Sequence, residues 1–106
     1  MRLTVKNLTN QQLTDFMAQG QGVVLDVRTA AEWEQLGHIP SAILIPIQEL
    51  MMRVGELNKE QPLAVICEHG VRSWNAAQWL ESQGFKSVFN HEKGMAEWVG
   101  ERAFGE

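Results

Sequence analysis

The single cysteine of this chain, Cys67, ends an apolar run, Leu63-Ala64-Val65-Ile66, and opens the heptapeptide Cys67-Glu68-His69-Gly70-Val71-Arg72-Ser73. A helical pattern follows at once. A thiol is therefore carried by a buried strand into a short turn at a helix N-terminus, with an arginine closing the turn. Backbone N–H groups in such a turn, aided by the helix dipole, cradle negative charge. A sulfur atom held there is favoured as the thiolate, the form that attacks electrophiles. A lone cysteine is most often a small buried hydrophobe. Three features oppose that reading here. The residues after Cys67 are polar and turn-forming, Gly70 permits a positive-φ turn that points N–H groups inward, and Arg72 adds a permanent cation with a planar donor fork.

The neighbours of the thiol are read in turn. His69 could protonate a leaving group, as histidines do in acid–base chemistry, but an outward side chain whose N–H alone lines the cradle is the simpler reading. Glu68 is expected to face solvent, because a carboxylate turned inward would repel an anionic donor and raise the thiol pKa. Even so, it makes the loop less cationic than one carrying two arginines. Asp26 ends a second apolar run, and an aspartate buried there must be paired. Asp26 and Arg28 are read as structural support for the loop, with Glu32 the expected partner of Arg28. Cys67, His69, His38 and His91 lack the spacing of a metal site, so no metal is expected.

Strands and helices must bring these residues together. Val23–Val27, Ala42–Ile45, Leu63–Cys67 and Ser87–Phe89 are short apolar runs with little polar alternation, as in strands covered on both faces of a parallel sheet. Leu3–Val5 is a candidate edge strand. Thr9 with Gln12 and Thr29 with Glu32 fit the capping box that starts a helix. Leu13, Phe16 and Met17 mark one apolar helix face, and Trp33 and Leu36 another. Ile47, Leu50, Met51 and Val54 have the spacing of a third helix. Ser73 begins a fourth, with Ala76, Ala77 and Leu80 inward and Gly84 as its stop. Residues 94 to 102 read as a last helix with Met95, Trp98 and Val99 inward. The alternation predicts an α/β fold, a mainly parallel central sheet flanked by helices on both faces, formed by one domain over 1–106. The pattern leaves the strand order open. In such sheets ligands sit beyond the carboxyl ends of the strands, where both Cys67 and Asp26 fall.

Bulk properties narrow the function classes. Nine scattered basic residues and a formal charge of −4 argue against nucleic acid or an anionic membrane as partner. One cysteine cannot form an internal disulfide, so no oxidising compartment is needed. No run is apolar and long enough to span a bilayer, and a cytoplasmic location is the expectation.

At this point the chain resembles the rhodanese family of sulfurtransferases. Cys67-x-x-Gly70-x-Arg72-Ser73 is similar to that family's active-site loop, and Asp26-Val27-Arg28 to its strand-end motif. Glu32-Trp33, followed by Gly37-His38-Ile39-Pro40-Ser41-Ala42, resembles a third motif, and Gly94-Met95-Ala96-Glu97-Trp98 a fourth. Ser41 and Lys93 stand where the family usually has glycine, outside the loop. The resemblance implies a persulfide relay that needs no cofactor. Cys67 would be the nucleophile, and the N–H groups of Glu68, His69, Gly70, Val71, Arg72 and Ser73 would hold the transferred sulfur. Arg72 would also steer and hold an anionic donor such as thiosulfate, although the negative charge of Glu68 leads to the expectation that a polysulfide or protein persulfide serves better, and a small thiol or a protein cysteine would accept the sulfur. Two alternatives remain. Dual-specificity phosphatases and arsenate reductases share the fold, but their loop is one residue longer, suiting a phosphoryl group. A non-catalytic binding or regulatory module is the other.

Overall fold

The computed structural model describes residues 4–105, which build a five-stranded, wholly parallel sheet. In chain order the elements are β1 (Lys6–Leu8), α1 (Asn10–Ala18), β2 (Val23–Asp26), α2 (Ala30–Leu36), β3 (Ile43–Leu44), α3 (Leu50–Arg53), β4 (Leu63–Ile66), α4 (Val71–Ser82) and β5 (Val88–His91). Short 3₁₀ turns flank α3 at Ile47–Glu49 and Val54–Glu56, and another forms at Met95–Glu97. The expected α/β class therefore stands, and the structure supplies the strand order β1-β5-β4-β2-β3.

Side-chain alternation along β4 divides the core into two layers. Leu63, Val65 and Cys67 face one side, packed with Leu50 and with Ala76, Ala77 and Leu80 of α4. Ala64 and Ile66 face the other, with Leu13 and Phe16 of α1 and with Met95 and Trp98. Cys67 thus points toward the helix whose first turn completes its loop. Both predicted capping boxes form: Thr9 accepts from the Gln12 N–H and Thr29 from the Glu32 N–H, each reciprocated by the Gln or Glu side chain.

Several expected elements differ. Leu3 lies outside the described residues, and the edge strand forms at Lys6–Leu8. Thr4 instead gives its N–H and hydroxyl to Glu81, both at 2.6 Å. An edge strand needs only one covered face, which is why exposed Lys6 and Asn7 are tolerated and no apolar run marks it. The third helix is broken into 3₁₀, α and 3₁₀ segments. The tighter winding stacks Ile47 over Leu50 and rotates Met51 outward, leaving it 73% exposed. Leu36 likewise faces solvent while Trp33 is buried.

The last predicted helix does not form. After the turn at Met95–Glu97, Trp98 is extended at ψ 127°, and Val99 is 87% exposed rather than inward. Competing bonds explain it. Arg102 donates to the carbonyls of Met95 and Trp98 at 2.5 and 3.1 Å. Ala103 and His38 exchange backbone bonds as an antiparallel bridge.

Candidate active site

The strand order creates a crevice. From β2 the chain moves outward to β3, whereas from β4 it moves the opposite way to β5, so the loops after these adjacent strands diverge. Such a switch point is the usual ligand position in an open α/β sheet. In the β2–β4 pairing each residue lies opposite the one forty positions on, from Val23↔Leu63 to Asp26↔Ile66. The same offset continues beyond the strands as two ion pairs across the crevice, Arg28 with Glu68 and Glu32 with Arg72.

Cys67 is the first residue past β4 and is only 1% exposed. Gly70, in the left-handed region at φ 88°, turns the loop back on itself. Its N–H donates to Sγ at 3.1 Å, and the Ser73 N–H, in the first turn of α4, donates at 3.3 Å. The Cys67 thiol donates to Ser73 Oγ at 3.2 Å. Two backbone donors thus converge on one sulfur, the arrangement that stabilises charge there. The loop's outer flank is held by the 3₁₀ turn: the Met95 and Ala96 N–H groups donate to the Cys67 and Glu68 carbonyls at 2.8 and 2.9 Å.

The remaining loop residues take distinct places. His69 and Val71 are exposed, and the main chain of each continues the turn. Glu68 does not face solvent as expected; its side chain is 17% exposed and accepts from Arg28 Nη1 at 3.0 Å. Arg28 in turn does not pair with Glu32. It is fully buried and donates through Nε and Nη2 to Asp26 and through Nη2 to the Gly37 carbonyl. The expected pairing of Asp26 is therefore met by its near neighbour Arg28. Burial works against the Arg28 charge, but the Asp26 and Glu68 carboxylates outweigh it and hold its pKa above the ordinary value.

Arg72, expected to hold an anionic donor, is paired with a carboxylate. Its two terminal nitrogens lie 2.7 Å from the two carboxylate oxygens of Glu32, a fork-to-fork pair. The Arg72 bond is the main reason that the Glu32 carboxyl falls from its ordinary value to about 2.

Asn90, on β5, was not among the site residues expected from sequence. Ser73 Oγ donates to Asn90 Oδ1 at 2.5 Å, while Asn90 Nδ2 donates to Asn7 Oδ1 and to the Gly70 carbonyl at 3.0 and 3.3 Å. One amide therefore braces both cradle residues against the sheet. The signal for it is an asparagine inside the apolar run Val88-Phe89-Asn90, because a polar group buried in a strand must find partners. Beside it His91 donates from Nε2 to Asn10 Oδ1 at 2.6 Å, and its Nδ1 is buried without a partner.

A parallel sheet with a thiol cradled at its switch point defines the α/β class of this fold and its candidate site. Residues 9–101 match the model of the rhodanese-like domain, and the chain belongs to that family. The thiosulfate sulfurtransferase GlpE of Shewanella oneidensis is 32% identical over 93 residues, covering 88% of this chain and 91% of that protein. YrkF of Bacillus subtilis is 43% identical over 77 residues, 73% of this chain, and the chain spans only 41% of its length. Among solved structures, a rhodanese-like domain protein of Staphylococcus aureus superposes with a TM-score of 0.85 at 31% identity, covering 96% of this chain and all of that one. No helix among the described residues is long and apolar enough to cross a membrane.

Proposed function

We propose that this chain is a sulfurtransferase that carries sulfane sulfur as a persulfide on Cys67. The observation that carries this reading is the pair of backbone N–H groups, from Gly70 and Ser73, aimed at the Cys67 sulfur. Such donors favour an anionic sulfur whether it is the attacking thiolate or the terminal sulfur of the product. In the first half-reaction the thiolate attacks the outer sulfur of a donor R–S–SH. The donor S–S bond breaks with its electron pair on R–S⁻, and Cys67–S–SH remains. In the second, an acceptor thiolate attacks that outer sulfur and releases the Cys67 thiolate. Covalent transfer of this kind gives ping-pong kinetics.

A GlpE relative named for thiosulfate supports the reaction class. Loop size supports sulfur over phosphate: four residues separate Cys67 from Arg72, one fewer than in the longer phosphatase loop. The acceptor is a small thiol or a protein cysteine. Incubation with a persulfide donor followed by intact mass spectrometry is expected to add one sulfur to the protein and none to Cys67→Ser. A protein that gains no sulfur from any donor is a binding module instead, and turnover of p-nitrophenyl phosphate would make it a phosphatase.

A further inference from the structure

We propose that Glu32 sets donor specificity by withholding Arg72 from the sulfur cradle, so that the site prefers alkyl persulfides over the thiosulfate dianion. This rests on the sulfur-transfer reading above and adds the class of donor. The case begins with geometry. A bidentate carboxylate takes one N–H from each terminal nitrogen and neutralises the guanidinium charge at close range, so an incoming oxyanion meets an arginine already paired and must compete with Glu32 for it. Glu32 is itself fixed independently of Arg72. It occupies the third position of α2, where its Oε1 accepts from the Thr29 N–H at 3.0 Å and the Thr29 hydroxyl at 3.2 Å. The start of the helix therefore sets the rotamer that captures Arg72.

Charge points the same way. Around the crevice Asp26, Glu32 and Glu68 face Arg28 and Arg72, leaving the bonded set one negative charge in excess before Cys67 ionises. The hollow of about 250 Å³ beside the loop is walled partly by Val71 and Trp74; His69 and Glu92 are the titratable side chains in its wall, and among the described residues no lysine or arginine lines it. Thiosulfate brings two negative charges and departs as the sulfite dianion. An alkyl persulfide attacked as R–S–SH departs as a single thiolate whose carbon chain suits an apolar wall. In a crevice of partial burial, each unit of like charge a few ångströms away is a penalty that bulk water would largely screen.

Glu32→Gln separates charge from structure, because glutamine also completes a capping box. Single-turnover loading of Cys67 is followed by intact mass with two probes, thiosulfate and tert-butyl persulfide. In the wild type the second-order rate constant for tert-butyl persulfide is expected to exceed that for thiosulfate. Glu32→Gln is expected to shift the ratio of the two toward thiosulfate by about tenfold, a modest share of one ion–ion interaction at such range. Added potassium chloride is expected to speed wild-type loading from thiosulfate, since screening relieves repulsion. A ratio unmoved by Glu32→Gln, or a thiosulfate rate that falls with salt, overturns the role given to Glu32. Failure of both probes to load Cys67 overturns the sulfur-transfer reading itself.

Discussion

Removing the Asp26 carboxylate would strand the Arg28 guanidinium in the interior with half its donors unmet. Both side chains are fully buried, and Asp26 accepts from the Arg28 backbone N–H as well as its side chain. A buried pair is weak evidence of net stabilisation, yet breaking one partner leaves an uncompensated charge. Asp26→Ala is therefore expected to lose about 3–5 kcal/mol in urea unfolding, against little for Cys67→Ser, whose site stays filled. A loss below about 1 kcal/mol would show that Glu68 and the Gly37 carbonyl hold Arg28 unaided. At this scale the sequence discloses which residue types gather at the strand ends but not who pairs with whom. Arg28 stands four residues before Glu32, the spacing at which two side chains meet along one helix. It lies outside α2, and its side chain turns inward to Asp26, leaving Glu32 for Arg72. Pairing across the crevice depends on the strand register, which no local pattern reveals.

The loop is an element only because another element grips it. Gly94, at φ 77°, lets the turn at Met95–Glu97 press its N–H groups onto the loop carbonyls. A Cβ there would lie 2.3 Å from the Glu68 carbonyl oxygen and 2.7 Å from the His69 nitrogen, so the loop itself would have to move. Gly94→Ala combines that clash with positive-φ strain of about 1–3 kcal/mol. It is expected to lower the melting temperature and to slow Cys67 loading by more than the stability loss explains. A variant that melts early yet loads at the wild-type rate would show that the grip does not shape the cradle. Helix starts were readable because a capping box is a local device of four residues, and both predicted boxes form. The end of the chain was not. Met95, Trp98 and Val99 have helical spacing, but Arg102 and the bridge from Ala103 to His38 claim the backbone first, and these are contacts with distant residues.

Across the molecule, the fold class followed from apolar strands alternating with capped helices, while the strand order required the structure. That order has a titration consequence, because β1 brings α1 beside β5 and buries His91 between Asn10 and Trp98. Burial favours the neutral ring and lowers His91 from an ordinary value of 6.5 to about 4, with Glu97 opposing weakly. The unfolded chain therefore binds a proton that the native state refuses between these values. Stability from this group is full above about pH 6.5 and is lost as pH falls toward 4. Glu32 acts in a lower window. Its folded value of about 2 lies below the ordinary 4.5, so its contribution is present above 4.5 and lost as pH falls toward 2. Melting temperatures measured by circular dichroism are expected to fall in both windows for the wild type. His91→Gln, which keeps an amide donor for Asn10, should flatten the slope between pH 6.5 and 4 while leaving the lower fall intact. Glu32→Gln should do the reverse, flattening only the fall below pH 4.5. If His91→Gln retains the full upper slope, another group takes up the proton and His91 is not the sensor of mild acid.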